Sequence, residues 1–204
     1  MKNKLTLVIV ALCATWASGC PAPRPSQYYQ LTVPNPTASS SNPNPFPVTL
    51  LLGPISSSHL YREDAIVYSA DGESMGTYLY HRWAEPPTEM IEAVLRQQLR
   101  ASGEYRGVYS LRSNARGDFL IRGQLDDFKE VSSGSVVARL TLELEMRDVK
   151  SGAMVWTHFY THDEPVTVKE VSAVVEALDK NVQRAAVEFE SSLDQYFAAH
   201  PSRP

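Results

Sequence analysis

From Val171 to Phe197 the chain keeps its apolar residues on one side of a helical period for about eight turns, and no other feature restricts the fold so tightly. Val171, Val174, Val175, Leu178, Val182, Ala185, Ala186, Phe189, Leu193 and Phe197 share that side, while Glu176, Asp179, Lys180, Gln183 and Glu190 lie elsewhere. A helix with such a stripe must lay it on an apolar partner. That partner is either another helix in a coiled coil or a sheet of the same chain, and the sheet is preferred because the preceding residues supply one. Thr167 and Glu170 have the spacing of a capping box, and Val166 and Val171 that of a staple across it, so the helix is expected to begin just after Thr167.

The sheet is written as alternation. Leu140, Leu142, Leu144 and Met146 alternate with Arg139, Thr141, Glu143, Glu145 and Arg147, which gives a strand with one apolar and one charged face. One face of such a sheet is wet or covered by a partner. Residues 105–111, 119–128, 136–149 and 154–162 read as successive antiparallel strands, separated by Gly117-Asp118, Ser132-Ser133-Gly134 and Lys150-Ser151-Gly152. Earlier strands are expected at 28–33, at 48–52 closed by Gly53-Pro54, at 65–69 and at 77–83, the last two joined through Asp71-Gly72. Pro86-Pro87 opens a shorter helix carrying Met90, Ile91, Val94, Leu95 and Leu99 on one face, and Ser102-Gly103 ends it. The fold class that follows is α+β, a mainly antiparallel sheet packed against two helices.

The first residues form a separate unit. Lys2 and Lys4 are a basic start, residues 5–16 an apolar run, and Ala17-Ser18-Gly19 the small residues a signal peptidase requires before Cys20. About a dozen apolar residues are too few to cross a hydrocarbon core of ~30 Å, so the run reads as a removable signal. The small-small-Gly-Cys pattern resembles a bacterial lipobox, with cleavage between Gly19 and Cys20 and lipid on the Cys20 thiol. Ala17 departs from that pattern, which prefers Leu there, and ordinary cleavage leaving a free cysteine is the alternative. Pro21-Ala22-Pro23-Arg24-Pro25 is an extended spacer, and residues 34–47, rich in Pro, Ser and Asn, are a loop or tether. Pro21 stands where an Asp would retain an enteric lipoprotein at the inner membrane, which favours the outer membrane. The organisation expected is signal 1–19, anchor and tether 20–47, one domain at 48–199 and a tail at 200–204.

Removing residues 1–19 takes away Lys2 and Lys4, leaving 17 Lys and Arg against 23 Asp and Glu. That acidic balance argues against nucleic acid as a partner. Cys13 leaves with the signal, so the mature chain keeps Cys20 alone, with no intrachain disulfide and no cysteine-based metal site.

Several motifs invite a catalytic or ligand reading. Gly72-Glu73-Ser74-Met75-Gly76 fits the G-x-S-x-G elbow, but an elbow joins strand to helix, whereas this segment leaves a turn and enters a strand-like run. His158, His162, Asp163 and Glu164 resemble ligands by spacing, yet four residues on a strand span ~13 Å, too far for one ion held by ~2 Å bonds. Asp126 and Asp127 would point to opposite faces of a regular strand. Tyr61, Tyr68, Tyr78, Tyr80 and Trp83 either line a groove or pack the sheet, and packing is the reading adopted. No cofactor or metal is expected, no catalytic residue is assigned, and ligand-binding residues remain unknown.

A resemblance adds to this reading. Cys20 is followed by Tyr28-Tyr29-Gln30-Leu31, then by Val48-Thr49-Leu50-Leu51-Leu52-Gly53-Pro54-Ile55, then by Leu60-Tyr61-Arg62-Glu63-Asp64-Ala65-Ile66-Val67-Tyr68. Tyr80-His81-Arg82-Trp83-Ala84-Glu85-Pro86-Pro87 then leads into the first helix, and is the most specific block. In order and spacing these resemble the ABC-type transport auxiliary lipoprotein family. The resemblance implies a non-enzymatic, lipid-anchored periplasmic subunit, partnered with a mammalian-cell-entry class protein of an ABC transport system for lipids or other hydrophobic molecules. A homo-oligomer is compatible with it. Two other readings stay open: an outer-membrane lipoprotein that activates or assembles an envelope enzyme, and a secreted hydrolase using Ser74.

Overall fold

The computed structural model describes residues 24–34 and 46–201, so Gly19, Cys20 and the rest of the signal and lipobox lie outside the described residues. Eight strands, β1 (Gln27–Tyr29), β2 (Phe46–Ser57), β3 (Ala65–Ser69), β4 (Gly76–Trp83), β5 (Tyr105–Ser110), β6 (Phe119–Val131), β7 (Val137–Asp148) and β8 (Met154–Pro165), form one sheet. Two helices, α1 (Pro87–Ser102) and α2 (Val171–Ala199), complete the α+β fold. The long ladders β6–β7 and β7–β8 are antiparallel.

Strand β6 is the spine. One edge pairs with β7 along its whole length, and the other is shared: β2 takes residues 119–125 and β3 takes 129–131, both parallel to it. A 3-10 turn, His59–Tyr61, joins β2 to β3, so the two lie end to end on one edge. β5 and β6 are therefore not neighbours, contrary to the antiparallel succession expected; each flanks β2 in parallel. The segment between β4 and β5 is α1, and a helical crossover of that kind lets strands run parallel.

The helices pack on one face, α1 over β2 and β5 and α2 over β7 and β8, with contact between them. Leu140, Leu142, Leu144 and Met146 are buried beneath α2 together with Val182, Ala185, Phe189 and Leu193, so the stripe lies on the protein's own sheet. Phe197 closes the far end against Phe46, Tyr105 and Phe119, at ring separations of 5.7, 5.9 and 5.2 Å. Trp83 is fully buried beside Phe128 at 5.3 Å, and Tyr61 is buried nearby.

Four local expectations are corrected. β1 ends at Tyr29 instead of extending through residue 33, because Leu31 turns into the core and Thr32 leaves for α2, where its N–H donates to Asp179 and its carbonyl accepts from Gln183. Gly53-Pro54 does not close β2; Pro54, which has no N–H to donate, sits where the register against β6 shifts between Leu52 and Ile55, and the strand continues to Ser57. β6 and β8 outlast their expected ends by three residues each. The capping box does not form. β8 persists to Pro165, the Val166 N–H is still tied to the Val136 carbonyl, and the helix starts only at Val171 with Glu170 as an N-cap lacking a side-chain hydrogen bond. The start of α1 fits its prolines, with Pro87 in the first turn and Gly103 at φ 68° as the left-handed C-cap.

Candidate interaction surface

The sheet face opposite the helices is open and polar, as the alternation in β7 requires. Several of its charges are paired across and along strands. Arg139 clamps Asp163 with two bonds of 2.7 Å, and this partner holds the Asp163 carboxyl below its ordinary range. Arg147 does the same for Glu145 at 3.0 Å, and Lys129 meets Asp127 at 2.6 Å. Thr141 and Thr161 bridge their hydroxyls at 3.0 Å, and Ser56 donates to Gln124 at 2.7 Å. Between these groups lies a shallow trough of 530 Å³ lined by Pro54, Ser56, Arg122, Gly123, Gln124, Glu143 and Glu145. Both signs of charge line it, so it has no preference for a simple ion.

The residues singled out in the sequence fall into separate places. Ser74 sits in the exposed β3–β4 hairpin, where its hydroxyl donates to Asp71 at 2.7 Å and its N–H donates to the same carboxylate. Those bonds hold Asp71 down at about 2. The serine is thus part of a turn that ends in a strand, not an elbow that enters a helix. His158 and His162 share one face of β8 but have different neighbours: His158 meets Ser192 and Glu188 at 3.0 and 2.9 Å, and His162 meets Arg184 and Glu164. Among the described residues, no group of three His, Cys, Asp or Glu is placed to hold a metal ion.

Asp126 and Asp127 do not follow regular strand alternation, since a register shift between Leu125 and Asp127 takes Asp126 out of the ladder. Their partners still differ: Gln124 for Asp126, Lys129 and Thr141 for Asp127. Of the aromatics, Trp83 and Tyr61 are core, Tyr68 packs on Tyr78 at 5.0 Å, and Tyr78 donates to Glu130 at 2.6 Å, leaving Tyr80 exposed. Apart from Tyr80 they pack the sheet, as expected.

Sequence reading did not find Asn181. It is fully buried on α2 above the β7–β8 ladder, donates to the carbonyls of Ala138 and His162 at 3.0 and 2.8 Å, and accepts from the Tyr160 hydroxyl at 2.6 Å. The available signal was a single polar residue within the apolar stripe.

A second polar cluster lies between the helices. Gln98 donates to Glu190 and Tyr105 to Asp194, each at 2.6 Å, yet burial outweighs these bonds and pushes both carboxyls above their ordinary range. A carboxyl whose folded pKa is raised contributes most favourably below the unfolded pKa, and that contribution is lost as pH rises through the folded value. Glu190→Gln combined with Asp194→Asn is therefore expected to raise the thermal midpoint at pH 7 relative to the native chain. The gain should shrink towards pH 3.5 in paired melting curves. A gain independent of pH would contradict the assignment.

An open mixed sheet with both helices on one face, and a polar face with paired charges on the other, defines a small α+β domain. The sequence model of the ABC-type transport auxiliary lipoprotein component matches residues 29–189, and the chain belongs to that family. Membership makes it a lipoprotein component of the cell envelope. Solved structures share the fold. Protein XCC0632 from Xanthomonas campestris superposes with a TM-score of 0.72 at 19% identity, covering 81% of this chain and 93% of that one. An uncharacterized protein gives 0.67 at 11% identity over 83% and 99%. The hypothetical protein CT253 from Chlamydia trachomatis gives 0.51 at 9% identity over 76% and 99%. No curated protein matches the chain.

Proposed function

We propose that the protein is anchored through lipid on Cys20 at the periplasmic face of the outer membrane and serves there as a non-catalytic accessory component of an ABC transport system. Its partner is a periplasmic protein of the mammalian-cell-entry class, and the cargo is lipid or another hydrophobic molecule. The family match over residues 29–189 carries this reading. The signal-like start and Pro21 after Cys20 support the compartment, and the engagement of Ser74 with Asp71 in an exposed hairpin supports a role without catalysis.

Affinity capture of tagged full-length protein from chemically crosslinked envelopes tests it. The expected result is co-recovery of a mammalian-cell-entry protein with its ATPase and permease. Recovery of a cell-wall synthase without any transport component would overturn the proposal in favour of an envelope-enzyme activator.

A further inference from the structure

The corner of the sheet formed by β1 and β4 exposes three large apolar side chains on one side. Tyr78 lies against Tyr68 and His81, at ring separations of 5.0 and 5.9 Å, and Tyr29 brings its hydroxyl to 3.0 Å from His81 Nδ1. Those residues share the side of the buried Trp83. Tyr28, Leu79 and Tyr80, beside and between them in the chain, turn the other way and are 64, 68 and 39% exposed.

This edge is a poor template for another strand. Between the pairs Ala65–Arg82 and Val67–Thr77, β3 advances two residues and β4 five, so residues 78–81 bulge out of the ladder. β1 covers only residues 81–83, and Pro25, two residues before it, has no N–H with which to lengthen the pairing. The exposed side chains therefore suit an apolar layer better than an added strand.

The tether decides which layer. Gln27 opens β1 and pairs with His81, next to Tyr80. Cys20 stands seven residue steps before Gln27, at most about 25 Å away. We propose that Tyr28, Leu79 and Tyr80 seat this corner in the headgroup layer of the membrane, a contact that rests on the reading of Cys20 as the lipid anchor.

Tyrosine joins an apolar ring to a polar tip and is enriched at the membrane–water boundary, where Leu79 can reach the acyl chains beneath. Arg82, on the same side, brings its own countercharge in Asp64 at 2.7 Å, so that pair adds no net charge at the patch. The contact can be weak. A short tether holds its end at an effective concentration in the range of roughly mM, so a patch of mM affinity is seated about half of the time. Such a patch orients an anchored domain but cannot retain one whose anchor is lost.

Full-length lipidated protein, reconstituted in vesicles of phosphatidylethanolamine with a minority of phosphatidylglycerol, tests the contact. Tyr28→Cys, Leu79→Cys and Val149→Cys each receive a bimane label, the Cys20 thiol being acylated. Lipid carrying an acyl-chain nitroxide should quench the labels at 28 and 79 at least about twofold. It should leave 149 untouched, because Val149 is equally open to solvent but lies at the other end of β6, roughly 35 Å along the sheet. Adding Tyr28→Asp and Tyr80→Asp should abolish the quenching at 79, while flotation with the vesicles persists. Floating protein with unquenched labels at 28 and 79 overturns the proposal and leaves the anchor standing. Equal quenching at all three positions, or quenching that survives the two aspartates, overturns it as well. A blue-shifted label that the nitroxide does not reach means that protein covers the patch, which also overturns it. Protein that does not float refutes the anchor, and the contact with it.

Discussion

Replacing Asn181 with alanine is expected to lower the unfolding free energy by about 3 kcal/mol, because it leaves the Tyr160 hydroxyl without a partner and opens a small void under α2. The amide lies above the gap between the pairs Ala138–Glu164 and Leu140–His162, where two backbone carbonyls point at its nitrogen. One side chain thus ties the long helix to both of the long antiparallel strands beneath it. Tyr160→Phe alone should cost about 1 to 2 kcal/mol, since it removes one donor and leaves the Asn181 oxygen with less to accept. The double variant should cost less than the sum, because each single change strands the same hydrogen bond. Asn181→Asp separates a polar role from a packing role. It keeps the volume and the acceptor but loses both donors and aims a carboxylate at two carbonyls, so it should be worse than alanine at pH 7 and recover as the carboxyl protonates. Urea titrations at pH 7 and pH 4 measure all of this. Additive losses, or an aspartate variant insensitive to pH, would show that Asn181 merely fills space.

How much of this could be read from residues depends on how local the cause is. The stripe along α2 and the alternation in β7 report on their own backbone periods, so both elements are present, β7 bounded within one residue and α2 starting three residues later than expected. Proline at the start of α1 and glycine at its end act on single dihedral angles and were equally plain. The capping box failed because strand pairing extended β8 through the residues that would have formed it, a competition between two elements that neither sequence pattern contains. The parallel placement of β2 and β5 is also non-local, set by where α1 delivers the chain. The charged face was expected to be wet or covered by a partner, whereas its pairing of Arg139 with Asp163 and Lys129 with Asp127 depends on register. The bonds of Asn181 were not legible for the same reason, although its place in the apolar stripe was: its partners are 19 to 43 residues away.

Cys20→Ala is expected to abolish both lipid labelling and sedimentation with membranes, an all-or-none change no other substitution in this chain should match. On the proposed signal reading, the basic start at Lys2 and Lys4 and the apolar run of residues 5–16 act independently of the thiol, so the variant should still leave the cytoplasm. What it loses is the attachment point. Each buried methylene contributes ~0.8 kcal/mol and one acyl chain holds only marginally, so lasting attachment depends on the several chains a lipidated cysteine carries. Ala17→Leu should act in the opposite direction and speed processing, because it restores the residue a lipobox prefers. Position would limit the geometry too: Cys20 to Gln27 is seven residue steps, at most about 25 Å, so β1 could stand no further than that from an anchor on Cys20. Fractionation with an alkyne fatty-acid label checks the first expectation: a Cys20→Ala protein that remains labelled and membrane-bound would mean the anchor lies elsewhere.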